Sequence, residues 1–477
     1  MSTEPIDAGA GNEALRRDDW RFLLRQSGAP GRGTLVVTGF PRARTLRAAR
    51  AALADGGEVL CVWRRPRLRG VQRARSRLRR ARFDDVALYW PGPSSRRAAE
   101  FWLPLEEPRV LSHLLARRPT ADRRRAILRP LWRAAEPAGV LAPVYAIARY
   151  GGAGDPDSDA FAELLAGRAL LLLSPGWRRI SKVVGLAFGP GETDPDVLVK
   201  FSRVAATDAA VEREGEVLGR LGRERPDLRG VPRLLATGRR AGRSAVAQSR
   251  LDGPGIRSLL TPDTFEDLAG RVTRWLISLA GSPSPQPAER WERRLVTGPL
   301  DRFEEIFGPV TGEDTVRRVR DLLSGLGELP LVWEHRDCGP WNLVLGADGQ
   351  VAAVDWETSE PHGLPCTDLA YFLAGSLLDM EGAFAGRVDH DLVARLHARL
   401  LDPSTPEGAV AERCVARYCH ALGIDQALYP RLRLLAWVVL ALIDYEHLAM
   451  EAGGDPPERD VRGIFFLALI AGEVGVR

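Results

Sequence analysis

The segment Trp333-Glu-His335-Arg336-Asp337-Cys-Gly-Pro-Trp-Asn342-Leu-Val-Leu345 sets an aspartate directly after a histidine and an arginine, five residues before an asparagine. On such a loop Asp337 accepts the proton of an attacking hydroxyl, while the Asn342 oxygen is a hard ligand for magnesium, as phosphoryl transfer requires. Gly339-Pro340 supplies the bend between the two. Residues 343–345, the turn at 346–349 and residues 351–354 then read as a tight hairpin. The hairpin returns the chain so that Asp355, 13 residues after Asn342, faces it. Two hard oxygen ligands converge on one cation, with triphosphate and water completing its shell. A lone His-x-Asp is common, whereas the joint pattern of Asp, Asn, apolar hairpin and second Asp is rare.

This pattern resembles the aminoglycoside phosphotransferase and choline kinase branch of the kinase-like superfamily. Val354-Asp355-Trp-Glu357 with Pro365-Cys-Thr-Asp368-Leu-Ala-Tyr371 is similar to the family's "Val-Asp-Trp-Glu … Pro-x-x-Asp-Leu-Ala" block. Arg336, where many members have glycine, gives the His-Arg-Asp form familiar from protein kinases. The resemblance covers the C-terminal two thirds. It implies an α+β, protein-kinase-like, two-lobed domain over residues 161–477, with an N-lobe at about 161–250 and a C-lobe at about 256–477. It also implies ATP or GTP with magnesium as cofactors, and a small-molecule hydroxyl as acceptor. Asp337 is then the base or acceptor-orienting residue, Asn342 and Asp355 are the metal ligands, and Asp368 braces the catalytic loop.

The same resemblance predicts a phosphate clamp upstream. The chain has 67 lysines and arginines, of which only Lys182 and Lys200 are lysines. A chain that writes nearly every cation as arginine keeps a lysine where a compact ammonium is needed, since the two are not interchangeable at tight sites. Lys200 ends the β-type run 196–201, and residues 211–221 follow as a helix with leucines on one face. This matches the family's strand lysine on the α and β phosphates and the helix glutamate that orients it. Glu214 is the expected partner, with Glu212 and Glu216 as further candidates, because one residue in three or four points inward on a helix. Residues 170–188 read as strand, turn, strand in the place of the phosphate-covering loop, with Ser174, Gly176 and Ser181 as its phosphate contacts. Lys182 reads as a solvent-facing strand residue. Glu357 and Glu360 either add negative charge beside a cationic acceptor or form an exposed acidic face.

The rest of the composition bounds the class. At ~150 residues per domain, 477 residues suggest two or three domains. The start has no basic, apolar signal pattern. The apolar run 434–443 is about half the ~20 residues needed to span a bilayer, so it reads as a buried helix. Five cysteines without a paired framework fit a reducing cytoplasm. Cys414, Cys419 and His420 lack zinc-ligand spacing.

Charge splits the chain. Residues 1–150 hold 30 arginines against 14 acids, a net of +16, while residues 151–477 carry a net of −11. The glycine- and acid-rich stretch 151–160 reads as a linker between them. The basic part is expected to meet an anionic partner or the acidic part of the chain. No base-reading motif accompanies it, which argues against nucleic acid. Within it, runs at 34–38, 58–63, 85–90 and 144–148 read as strands and 45–53 and 70–81 as helices, the pattern of an α/β, Rossmann-like sheet. Residues 52–60 with 78–88 resemble the later half of a class I methyltransferase fold. The turn 38–45 carries only Gly39 and no Gly-x-Gly-x-x-Gly loop, so the cofactor site reads as degenerate. A small-molecule phosphotransferase is the leading expectation. The alternatives are a nucleotide-binding pseudokinase acting as an interaction module, and a bifunctional kinase with a methyltransferase-like domain.

Overall fold

The apolar runs between residues 34 and 249 pair into one ten-stranded sheet in a computed structural model of the chain. The structure describes residues 22–23, 34–54, 57–63, 69–92, 101–116, 144–150, 160–174, 180–384 and 388–475. The strands are β1 (Thr34–Thr38), β2 (Glu58–Trp63), β3 (Phe83–Gly92), β4 (Phe101–Pro104), β5 (Val144–Tyr150), β6 (Ala169–Leu173), β7 (Val183–Phe188), β8 (Val197–Phe201), β9 (Leu234–Arg240) and β10 (Arg243–Ser249). Their spatial order is β1-β2-β5-β3-β4-β6-β7-β8-β10-β9.

Helices α1 (Ala43–Ala52) and α2 (Gly70–Arg80) connect β1 to β2 and β2 to β3, and β1 and β2 are parallel as the α/β pattern predicts. The Rossmann-like expectation needs correction beyond that point. β5 enters antiparallel between β2 and β3, and β4 is antiparallel to β3, so this part of the sheet is mixed and not doubly wound. The physical reason lies in β2, which is buried along its whole length and therefore needs a partner on both edges.

β4 also pairs antiparallel with β6, Phe101 opposite Leu173 and Trp102 opposite Leu172. The strands before and after residues 151–160 thus belong to one sheet, and the boundary drawn there separates stretches of sequence but not sheets. β6 reads Ala-Leu-Leu-Leu-Leu, an apolar strand that would be an adhesive edge if left unpaired. Alternating side chains feed two cores that both cross this seam. One gathers Leu46, Leu78, Trp90, Phe101, Leu171 and Phe188, the other Leu60, Tyr145, Trp102, Leu172, Val199 and Phe201.

Packing divides the chain into two units, one from residues 1–215 and 234–250, the other from 216–233 and 251–477. The second unit is mostly helical. Its central helix, Thr367–Met380, is apolar on every side and buried from Thr367 to Leu378. Trp275, Trp291 and Trp437 are core residues. The helix Phe265–Ala280 is entered through Thr264, whose hydroxyl bonds back to the Leu259 carbonyl, and Asp314 pairs with Arg317 inside the helix Glu313–Leu323. The helix Tyr429–Ala452 is long and apolar enough to cross a membrane, but most of that stretch is buried in the molecule, as in a core helix.

Arg433 of that helix and His397 of the helix His390–Leu401 both bond Glu473 of the helix Phe465–Val474, at 2.8 and 2.9 Å. Burial pushes the Glu473 carboxyl up, but these bonds win and hold it at about 2. Its stabilisation is therefore complete above the ordinary value of 4.5 and is lost as pH falls toward 2. Glu473→Gln should cost about 3–5 kcal/mol at neutral pH, because it strands a buried guanidinium. It should also flatten the acid limb of a denaturation profile between pH 5 and 2; an unchanged limb would refute the assignment. A chain beginning at residue 161 should expose β6 and elute as soluble aggregates, whereas the full chain should not, as size-exclusion chromatography would show.

Candidate active site

The C-terminal cluster is built on a loop between the strands β11 (Val332–Glu334) and β12 (Leu343–Leu345), with β12 paired to β13 (Val351–Ala353) as the hairpin reading requires. Asp368, in the first turn of the helix Thr367–Met380, accepts the N–H of His335 at 2.7 Å and of Arg336 at 2.8 Å. Two consecutive N–H groups ending on one carboxylate hold the backbone in a tight turn, and Arg336 takes φ +64° there. The His335 Nδ1 accepts the N–H of Asp337 at 3.3 Å, so its proton sits on Nε2 and is donated to the Val354 carbonyl at 2.9 Å. Thr358 and Ser359 hydroxyls hold the carbonyls of His335 and Glu334 at 3.1 and 2.6 Å. The bracing role expected of Asp368 is the geometry observed.

Within this frame the Asn342 amide donates to both the Asp337 carbonyl, at 3.0 Å, and the Asp337 Oδ2, at 2.6 Å. With both N–H groups committed, the amide presents Oδ1 as its remaining atom, an acceptor. Gly339 matters here for closeness and not for φ, because a Cβ at that position would run into the Trp341 ring. The Val354 N–H bonds the Asn342 carbonyl at 2.9 Å, which ties the end of β13, and hence Asp355, to the loop. Asp355 adopts φ +65°.

Burial, and next the charge of Asp355, push the Asp337 carboxyl up to about 8, against hydrogen bonds from Asn342 and Trp341. Burial and Glu334 push Asp368 up to about 7, against its two N–H bonds and Arg336. Sequence reasoning missed three contributors to this environment. Trp341, Tyr371 and, from the helix Tyr429–Ala452, Asp444 all act electrostatically on the Asp337 carboxylate. Trp341 lies in the loop and was within reach of a local reading; Asp444 has no local signal. Glu360 is not a free charge beside the loop, since Arg294 meets it at 3.1 Å and Arg336 at 3.9 Å. Arg336 also bonds Glu334 at 2.8 Å.

The second cluster lies in the other unit. Lys200 sits on β8 between Val184 of β7 and Val246 of β10, and its Nζ meets the Glu214 carboxylate at 2.6 Å, with both residues buried. The helix Asp208–Glu224 turns Val211, Glu214, Val217, Leu218 and Leu221 inward at helical spacing. Glu212 and Glu216 are exposed, and Glu212 instead accepts the Ser244 hydroxyl. The helix start is fixed by Asp208, which accepts the Ser244 N–H at 3.1 Å and the Ser202 hydroxyl. Gly215 lets the helix approach β9, where a Cβ would come within 2.7 Å of Thr237. Ser174 is buried with no hydrogen-bond partner for its hydroxyl among the described residues, Ser181 and Lys182 are half-buried, and Gly176 lies outside the described residues.

The model of the phosphotransferase enzyme family, APH, matches residues 188–435, more than half of the chain. The chain belongs to this family. The match contains Lys200, Glu214, Asp337, Asn342, Asp355 and Asp368, and begins after Ser174 and Ser181. Among solved structures, this phosphotransferase is similar to an aminoglycoside phosphotransferase of Streptomyces rimosus at 15% identity, covering 58% of this chain and 93% of that one with a TM-score of 0.38. A thermostable mutant of another aminoglycoside phosphotransferase matches at 12% identity, 66% and 97% coverage and a TM-score of 0.41. A choline/ethanolamine kinase family protein of Mesorhizobium loti matches at 17% identity, 58% and 95% coverage and a TM-score of 0.31. No curated protein matches the chain.

Asp368→Ala should leave two buried N–H groups without acceptors, at about 1–3 kcal/mol each. We expect a lower melting temperature together with loss of phosphoryl transfer, and partial recovery of both in Asp368→Asn. Wild-type melting in the alanine variant would show that the loop is braced by something else.

Proposed function

We propose that the chain is an ATP- and magnesium-dependent phosphotransferase that moves the γ-phosphate to a hydroxyl of a small molecule. The observation that carries this reading is the Asn342 amide locked by two bonds onto Asp337, which leaves a hard oxygen next to a carboxylate that would accept a proton.

The residues fit a divalent cation. Among the described residues no group of three or more His, Cys, Asp or Glu could hold a metal. Magnesium, however, binds through one or two protein oxygens plus substrate phosphates. Asn342 Oδ1 and the Asp355 carboxylate are such a set, and the upward push that Asp355 exerts on Asp337 is the repulsion a cation relieves. When bound, the ion would neutralise charge on the β- and γ-phosphate oxygens.

The chain's own groups divide the remaining work. Asp337 orients the acceptor hydroxyl and takes its proton as the oxygen bonds to the γ-phosphorus and the bond to the bridging oxygen breaks, its electron pair leaving on ADP. Lys200, oriented by Glu214, holds the α and β phosphates. Ser181 would contact them, while Ser174 is too deeply buried to reach a phosphate itself. Both clusters being intact favours an enzyme over a nucleotide-binding pseudokinase.

Loss of a general base typically costs 10² to 10⁴ in rate. Asp337→Asn should therefore lower kcat for ADP release on the order of 10²-fold or more with normal folding, whereas Glu214→Gln should mainly raise KM for the nucleotide. Full turnover by Asp337→Asn, or ADP release that persists after magnesium is chelated, would sink the proposal.

A further inference from the structure

A cavity of about 630 Å³ adjoins the catalytic loop, a size suited to a small molecule. Arg336, the neighbour of Asp337, lines it, and Val439, Leu442 and Ile443 give it an apolar wall. That wall belongs to the same helix as Asp444, which acts electrostatically on Asp337.

The charges around this cavity are arranged unevenly. Three carboxylates border it, and each is already met by a guanidinium: Asp301 by Arg320 at 2.7 Å, Glu446 by Arg302 at 2.7 Å, and Glu360 by Arg294 at 3.1 Å. Arg293 also lines the cavity and is exposed, and its guanidinium makes no ion pair or hydrogen bond among the described residues. A cationic guest finds every bordering carboxylate engaged and four arginines around it. An anionic guest finds one guanidinium free, with a fork geometry suited to carboxylate or phosphate.

Resting on the phosphotransferase reading above, we propose that the acceptor is a hydroxyl compound carrying an anionic group, a carboxylate or a phosphate, and not a polycationic amino sugar. Arg293 is the specificity-determining residue that meets the anion, and the body of the acceptor lies against Val439, Leu442 and Ile443. Of the two sequence readings of Glu360, this sets aside the one in which it favours a cationic substrate, because Glu360 is met by Arg294 and Arg336.

The test uses the full chain with Mg-ATP and measures ADP release with glycerate, glycerol 3-phosphate, glycerol and streptomycin. At least one anionic alcohol should exceed glycerol in kcat/KM by tenfold or more, and streptomycin should give no stimulation. Arg293→Glu, at an exposed position outside the core, should lower kcat/KM for that anionic alcohol at least tenfold, through KM more than kcat. Calorimetry of glycerate and glycerol 3-phosphate binding to Asp337→Ala, with and without Arg293→Glu, reads the anion site without turnover and tells carboxylate from phosphate. Stimulation by streptomycin and not by the anions would overturn this inference and leave the phosphotransferase reading standing. Arg293-dependent anion binding with no ADP formed from any acceptor would overturn the phosphotransferase reading and leave standing only the anion-binding role of Arg293. Neither binding nor turnover of either anion would overturn the inference.

Discussion

Two consecutive backbone N–H groups, those of His335 and Arg336, end on the two oxygens of Asp368. Because Asp368 opens a helix that is buried almost throughout, the turn it holds cannot drift with the surface. The consequences follow in order along the chain. The His335 ring is fixed between the Asp337 N–H and the Val354 carbonyl, the Val354 N–H returns to the Asn342 carbonyl, and the Asn342 amide closes onto Asp337. Each bond uses a group whose other bond is already set. Preorganised polar groups of this kind need no reorganisation at the moment of reaction.

The two clusters solve opposite electrostatic problems. Lys200 and Glu214 are taken out of water together, and their mutual charge offsets the cost of burial; breaking such a pair typically costs about 3–5 kcal/mol. Asp337 is pushed toward its neutral form by burial and next by the like charge of Asp355. A buried pair that balances itself is structure. In the proposed function a cation from outside would relieve the repulsion between Asp337 and Asp355.

What was legible in the sequence is what depends on short-range order. Helical spacing singled out Glu214 over Glu212 and Glu216, and the hairpin at 343–353 followed from its turn residues. Pairings set by distant chain were not legible. β5 enters between β2 and β3 more than 50 residues after β3 ends, and β4 joins β6 across the stretch taken as a linker. No local pattern encodes which open edge a strand will meet. The same limit hid Asp444, which lies on a helix about 100 residues from the loop it acts upon.

Net charge shows that limit most sharply. Residues 151–477 carry a net of −11, yet the carboxylates that border the cavity beside Arg336 are individually matched to arginines. The sum over a stretch of sequence says how many charges there are, while function depends on which of them are still free. In a chain that writes nearly all its cations as arginine, those pairs tend toward bidentate, directional contacts. The charge left over is then decided residue by residue, and here it falls on Arg293.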